Sequence, residues 1–416
     1  MMPRFLWLFI ALILVALHSS SIYAKAEEAV SVPLVQASAE VAEPLFSAQI
    51  SALETQVDRY SKLVADGGWP VFKKGRKITA GATDARVRTL RDILAIMGDY
   101  QASGTPVASS DFYDSTLEEA VVNFQTRHGL KPDGVVGAAT QAALAVSAED
   151  RLAQLQVTLD KMRVVARADA TSPASILVNI PAYTLYVLEG QKVLSTMKVI
   201  VGDVKNQTPI MENEITYLQF NPAWYVPTRI AAEEILPKIK QDPDFLSRSR
   251  FVLSRDGSPI DPNMVDWESY GPGNFPFRIV QRSGDGNALG KVKFHMPDSK
   301  AIYLHDTSKP QLFSEYDRAL SHGCVRLEKP LELAQFLLKT SNQMSPEDAE
   351  KVYNESRQRR LELDAPVPVS IVYWTARVNL DTNQPYFFRD VYKREIGLIA
   401  AKKRVIKDTI NVLEKN

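Results

Sequence analysis

The stretch Tyr183-Thr184-Leu185-Tyr186-Val187-Leu188-Glu189-Gly190-Gln191 decides the fold of this 416-residue chain. A run of aromatic, β-branched and aliphatic residues leads into Glu189-Gly190-Gln191, which reads as a hairpin turn. Before it, Ile176, Val178 and Ile180 alternate with other residues from Ser175 onward; after it, Val193 to Val201 is a second strand-like run. A period of two over short segments divided by turns predicts a mainly β domain. Downstream, Asn221-Pro222-Ala223-Trp224-Tyr225-Val226-Pro227 is excluded from a central strand, because proline gives a ladder no donor. Ile230 to Lys240 reads as a helix, and residues ~241–290 are irregular and rich in Asp, Pro, Gly and Ser. So long a stretch inside a compact domain suggests a lid or binding loop, so 221–290 is taken as an inserted subdomain near the site. Strand character returns at Phe294-His295-Met296-Pro297 and at Ala301-Ile302-Tyr303-Leu304-His305.

Upstream the period is helical. Val87, Leu90, Leu94 and Met97 share one face, with Asp84 as N-cap. A loop over Gly98–Ser110 follows. Ser115 and Glu118 form a capping box ahead of Leu117, Ala120, Val121 and Phe124. His128-Gly129-Leu130-Lys131-Pro132-Asp133-Gly134 is a breaker-rich turn, with His128 read as a helix C-cap rather than a ligand. Thr140, Ala143 and Leu144 begin a third short helix. Leu45 to Val64 is weakly helical. Beyond the β domain, Ser345-Pro346-Glu347-Asp348 starts a helix expected to reach about Leu361, Val367 to Val378 is a late strand, and the charged tail from Tyr392 is helical. The fold class is α+β.

Lys+Arg and Asp+Glu both total 49, so nothing in the charge balance marks a nucleic-acid binder. Met1-Met2-Pro3-Arg4 and the apolar run Phe5 to Leu17 read as an export signal, too short for the ~20 residues of a membrane span. Cleavage fits after Ala24 or Ala26, with an uncleaved anchor as the alternative and the membrane's only contact. Either way the body of the protein is expected outside the cytoplasm. Cys324 is the single cysteine, so no intramolecular disulfide forms. It is an inert buried residue, an intermolecular cross-link or a nucleophile.

Its context, Ser321-His322-Gly323-Cys324-Val325-Arg326, favours the nucleophile. A neighbouring imidazole can take the thiol proton and lower the thiol pKa by units, and the resulting thiolate attacks carbonyls. The oxyanion then formed needs backbone N–H donors. Gly323 permits a tight turn and close approach of substrate. Arg326 is placed to hold the loop or pair with a carboxylate. Two histidines can serve as base. His322 shares a face with Cys324 if the chain is extended. His305 ends a strand, where a side chain is rigidly held, and is favoured; His322 is then a loop or substrate contact. The base needs an orienter, and Asp306 offers its carbonyl or its carboxylate.

The Ser-His-Gly-Cys-Val-Arg run resembles the active-site motif of the L,D-transpeptidase family. Thr208-Pro209, Asn221-Pro222-Ala223-Trp224, Gly290-Lys291-Val292-Lys293-Phe294 and Tyr303-Leu304-His305-Asp306 are similar to that family as well. Ala120-Val121-Val122-Asn123-Phe124-Gln125, His128-Gly129-Leu130, Asp133-Gly134-Val135-Val136-Gly137 and Thr140 resemble the peptidoglycan-binding-like module of wall enzymes. The layout resembles the large Gram-negative periplasmic members. The resemblance implies a signal peptide at 1–26, a tether and scaffold helices at 27–83, and a three-helix module at 84–146 that binds glycan or only scaffolds. It implies a mainly β catalytic domain at 174–340 with a lid insertion at about 221–290, and C-terminal helices and a strand at 341–416 packing on the scaffold. Cys324 would be the nucleophile, His305 the base, and the carbonyl of Asp306 the orienter. Backbone amides near Gly323 and Cys324 would form the oxyanion hole, and Tyr303 and Trp224 would line the substrate groove. Many members carry glycine where this chain has Asp306, which leaves a role for that side chain open.

The implied reaction is periplasmic cross-linking of diaminopimelate to diaminopimelate through a cysteine thioester, with release of D-alanine. This is wall biogenesis bearing on cell shape, with carbapenems as typical inhibitors. Stem peptides would be donor and acceptor, other wall-synthesis proteins candidate partners, and no metal or organic cofactor is called for. With water as acceptor the same site is an L,D-carboxypeptidase or endopeptidase; with a lipoprotein lysine it is an anchoring transferase. A non-catalytic wall-binding protein is the remote alternative.

Overall fold

The computed structural model describes residues 45–101, 111–168, 174–190, 192–297, 299 and 302–413. The export signal at 1–26, most of the tether and much of the loop expected over Gly98–Ser110 lie outside these residues. No helix among the described residues is long and apolar enough to cross a membrane.

Five helices come first: α1 (Leu45–Ala65), α2 (Arg86–Met97), α3 (Ser115–Arg127), α4 (Ala138–Leu144) and α5 (Ala148–Ala168). The α3 cap lies one residue earlier than the capping box implied: Asp114 accepts from the Leu117 N–H at 2.8 Å. His128 is the α3 C-cap, and its buried ring contacts the Phe124 carbonyl at 2.7 Å through Nδ1. Among the described residues the module at 84–146 shares its core with the flanking helices. Val87, Leu90, Leu117 and Phe124 share one apolar cluster with Leu53 and Tyr60 of α1, Leu152 and Leu155 of α5, and Val378 and Phe387 near the C-terminus. A buried ion pair, Arg127–Asp99, sits in this seam, and Arg127 also donates to the Pro385 carbonyl at 3.1 Å.

The second cluster fills a nine-stranded sheet, built from β1 (Ser175–Asn179), β2 (Thr184–Glu189), β3 (Lys192–Gly202), β4 (Met211–Phe220), β9 (Val292–His295), β10 (Leu304–His305), β11 (Ala319–Ser321), β12 (Val325–Leu327) and β13 (Arg359–Val372). The order is β11-β3-β12-β10-β9-β4-β13-β1-β2, with β2 also paired to β3. β13 runs parallel to β1 and antiparallel to β4. This corrects the expectation that residues 341–416 pack on the scaffold. α9 (Pro330–Thr340) and α10 (Pro346–Asn354) cover the nine-stranded sheet, α10 stops well short of Leu361, and β13 is one of the sheet's interior strands. Only β14 (Ala376–Asn379), β15 (Gln384–Phe387) and α11 (Ile396–Leu413) return to the scaffold. The physical reason is burial on both faces: Val369, Ile371 and Val372 are all nearly inaccessible, as an interior strand requires.

The insertion between β4 and β9 is a folded subdomain with its own core of Val226, Ile235, Leu246, Leu253, Phe277 and Ile279. It holds β5 (Trp224–Tyr225), β6 (Phe251–Arg255), β7 (Ser258–Pro259) and β8 (Arg278–Gln281) in a small sheet of order β5-β8-β6-β7. Its helical part is α6 (Thr228–Ile230), a π-helical turn at Ala231–Ile235, α7 (Leu236–Gln241) and α8 (Phe245–Arg248). As the prolines require, β5 is a two-residue edge strand. Asn221, with φ of 48°, turns the chain into the insertion; its amide donates to the Glu355 carbonyl at 2.6 Å.

Candidate active site

The sheet places the chemistry by alternation. β10 pairs with β12 in parallel, Leu304 opposite Val325 and His305 opposite Arg326, and with β9, Leu304 opposite Phe294 and His305 opposite Lys293. Leu304, Val325 and Phe294 are fully buried in the core. Successive side chains point to opposite faces, so His305, Arg326 and Lys293 share the other face. The Val325 N–H donates to the Tyr303 carbonyl at 3.1 Å, which extends the register to Tyr303 and Cys324. Cys324 and His305 therefore stand diagonally on one face of adjacent strands.

Cys324 is partly exposed and follows Gly323, whose φ of 114° favours glycine. Its thiol interacts with the backbone N–H and hydroxyl of Tyr303, and that hydroxyl also meets the Trp224 side chain. Lys293 lies 4.1 Å from the Tyr303 ring centroid. The Ser321 hydroxyl donates to the Cys324 carbonyl at 2.5 Å and accepts from the Gly323 N–H at 3.1 Å. The Gly323 amide, expected in the oxyanion hole, is thus engaged inside its own loop.

The buried His305 ring contacts the Asp306 carbonyl at 2.5 Å through Nδ1. The Asp306 carboxylate is a separate clamp. It accepts from the Lys291 N–H at 2.7 Å, the Thr307 N–H at 2.6 Å and the Tyr353 hydroxyl of α10 at 3.0 Å. The Thr307 bond fixes the plane of the 306–307 peptide, whose carbonyl holds the imidazole. A Cβ on Gly290 would collide with this carboxylate. Asp306 therefore orients His305 with its backbone while its side chain ties that backbone to β9 and α10.

Burial acts on both Cys324 and His305 against the thiolate–imidazolium form. Burial pushes the Cys324 thiol above its ordinary value, outweighing Tyr303, Lys293 and Arg326, which act in the opposite direction. Burial, then the Arg326 charge, drives His305 down to about 3. Both shifts favour the neutral thiol and the neutral imidazole, the form of the ring able to accept a proton. Arg326 has a buried Nε without a hydrogen-bond partner among the described residues, so a donor stands ready near the thiol. His322 points elsewhere: its Nε2 pairs with Glu234 of the π-helical turn. It is a link to the insertion, not the base. Among the described residues no group of three or more His, Cys, Asp or Glu side chains could hold a metal.

Tyr353, Lys293, Thr208 and Glu234 were not picked out as site residues from the sequence. Lys293 and Thr208 stood in quoted motifs, but only the β9–β10 register and the folded 203–208 loop show what they touch. Tyr353 and Glu234 come from helices with no local signal of a site.

Residues 173–369 match the family model described as "L,D-transpeptidase catalytic domain", and residues 83–144 match "Putative peptidoglycan binding domain". A Haemophilus influenzae protein described as "Putative L,D-transpeptidase" is 45% identical over 166 residues, 39% of this chain and 33% of its own length. The chain thus spans about a third of that relative. Among solved structures, an L,D-transpeptidase from Mycobacterium smegmatis is 14% identical, covering 48% of this chain and 58% of its own, with a TM-score of 0.24. One from Stackebrandtia nassauensis is 15% identical, covering 73% and 96%, with a TM-score of 0.26.

Proposed function

We propose that the protein, whose residues 173–369 match the L,D-transpeptidase catalytic domain and whose residues 83–144 match a peptidoglycan binding module, cross-links peptidoglycan stems through a thioester on Cys324. The observation that carries the reading is the shared face of Cys324 and His305, with the Asp306 carbonyl fixing the ring. Nδ1–H donates to that carbonyl, so Nε2 is the basic nitrogen.

As the Cys324 sulfur bonds to the carbonyl carbon of the amide between diaminopimelate and D-alanine, its proton passes to His305 Nε2. The tetrahedral oxyanion collapses, the C–N bond breaks, and His305 returns the proton to the departing D-alanine amine. The diaminopimelate amine of a second stem then attacks the thioester, His305 takes its proton, and the thiolate leaves, reprotonated by the imidazolium. A cross-link remains. Tyr303 and Trp224 flank the thiol as the walls of the stem groove, and Arg326 offers its unpaired donor to a stem oxygen. The reading places the reaction in the periplasm, with Phe5–Leu17 as export signal.

Intact-mass spectrometry after meropenem treatment is expected to show one stable adduct on wild type and none on Cys324→Ala. Digestion of purified tetrapeptide stems should then yield cross-linked dimers and free D-alanine. Absence of the adduct on wild type refutes acyl transfer; tripeptide monomers without dimers replace the cross-linking acceptor with water.

A further inference from the structure

The loop between β3 and β4 supplies a group that the reaction scheme leaves unused. Thr208 is fully buried. Its Oγ1 accepts from the Gly202 N–H at 2.8 Å and donates to the Gly323 carbonyl at 2.7 Å. The C=O and N–H of one trans peptide point in opposite directions. Anchoring the Gly323 carbonyl inward on Thr208 therefore turns the Cys324 N–H away from the buried loop. A peptide that follows a glycine with positive φ has other orientations within reach, so something must select one, and the Ser321 hydroxyl already engages the Gly323 N–H.

The loop carrying Thr208 is itself held. The Thr208 N–H donates to the Tyr392 hydroxyl at 3.2 Å, and that hydroxyl donates to the Gly202 carbonyl at 2.6 Å. Gly202 has no room for a Cβ, which would run into the Asn206 carbonyl oxygen. Asp203 ties the same loop down, accepting from the Asn206 N–H at 2.6 Å, and its own N–H donates to the Ser321 carbonyl at 2.8 Å.

We infer that Thr208 is a positioning residue for acyl transfer: its hydroxyl fixes the Gly323–Cys324 peptide and thereby aims the Cys324 N–H at the oxyanion, with Tyr392 holding Thr208 in place. The inference rests on the acyl-transfer reading. A donor aimed in advance at developing charge stabilises the transition state without reorganisation.

Two reactions of the same thiol separate this role from a structural one. Ring opening of meropenem forms an Sγ–C bond, breaks the lactam C–N bond, passes the thiol proton to the ring nitrogen, and goes through an oxyanion. Alkylation by iodoacetamide displaces iodide from carbon and forms none. Thr208→Val is expected to slow meropenem acylation by about 10- to 100-fold and to leave alkylation within about twofold, while Thr208→Ser keeps acylation within about threefold of wild type. If Thr208→Val does not fold, Tyr392→Phe carries the test, with acylation several-fold slower and alkylation unchanged. Wild-type acylation rates in these variants, a parallel loss of both reactions, or a Thr208→Ser as slow as Thr208→Val overturns the inference. A wild type that forms no meropenem adduct is a different result: it removes the acyl-transfer reading, and the inference with it.

Discussion

Burial holds both Cys324 and His305 toward their neutral forms. Burial raises the thiol and lowers the imidazole, so the two shifts together oppose proton transfer in the resting site. With His305 lowered to about 3, an ionisation governing thiol reactivity between pH 6 and 10 is expected to belong to the thiol. The sign follows: the thiolate fraction, and with it the rate of iodoacetamide alkylation, should climb with pH past the ordinary thiol value of about 8.5. A pH–rate profile that levels off below pH 7 would show a preformed ion pair instead. Both residues were legible in the sequence because motif and strand alternation are local signals. The clamp on Asp306 was not, because Tyr353 reaches it from a helix 47 positions away. Desolvation was equally hidden, since it is set by the packing of the finished sheet rather than by neighbouring residues.

At the scale of elements, the insertion meets the catalytic face at three separate points. Glu234 of the π-helical turn pairs with His322, Arg229 of α6 donates to the Asn206 side chain, and Trp224 of β5 reaches Tyr303. A π-turn re-aims side chains relative to an unbroken helix, and here it carries Glu233 and Glu234. The His322–Glu234 pair is only partly shielded from solvent, so its contribution is at most about 1 kcal/mol, enough to bias a lid without locking it. Glu234→Ala is expected to raise amide hydrogen exchange across residues 228–241 while leaving β9 and β10 unchanged; equal exchange in the two proteins would show that the pair does not restrain the insertion. The sequence marked the helix at Ile230 to Lys240 but left residues ~241–290 as irregular. The insertion's Asp, Pro, Gly and Ser content describes the turns at 256–274, whereas its core includes Phe275, Phe277 and Ile279, a short alternation broken by Pro276 and preceded by Gly271-Pro272-Gly273. The late strand expected from Val367 forms the second half of β13, but its first half was hidden because Arg360 and Glu362 look like helix surface; the strand spans two environments, with Leu361 and Glu362 pairing at one end of β4 and Val367 to Ile371 at the other across a register shift.

For the whole molecule, the question is how a helical scaffold and a β domain behave as one body, given that the chain leaves the sheet at Val372 and crosses back to the scaffold. The crossing is made at Glu395, which is inaccessible to solvent and lies between both parts. Its carboxylate accepts from Lys161 of α5 at 2.5 Å and from the hydroxyl of Thr375, just past β13, while Lys161 also donates to the Tyr373 carbonyl at 3.1 Å. Tyr373 continues the path, since its hydroxyl accepts from the Tyr392 N–H at 2.8 Å, and Tyr392 braces the Thr208 loop. Removing one member of a buried pair strands the other's charge, which costs roughly 3–5 kcal/mol, whereas replacing both with apolar groups of similar size is often close to neutral. Lys161→Ala should therefore lower the denaturant midpoint of the full chain by an amount near that range, and Lys161→Met combined with Glu395→Leu should recover most of it. If the ion pair also transmits to the active site, Lys161→Ala will slow meropenem acylation more than the double variant does under conditions where both remain folded. Equal stability of Lys161→Ala and wild type in chemical denaturation would show that the scaffold and the sheet are joined by their apolar seam alone.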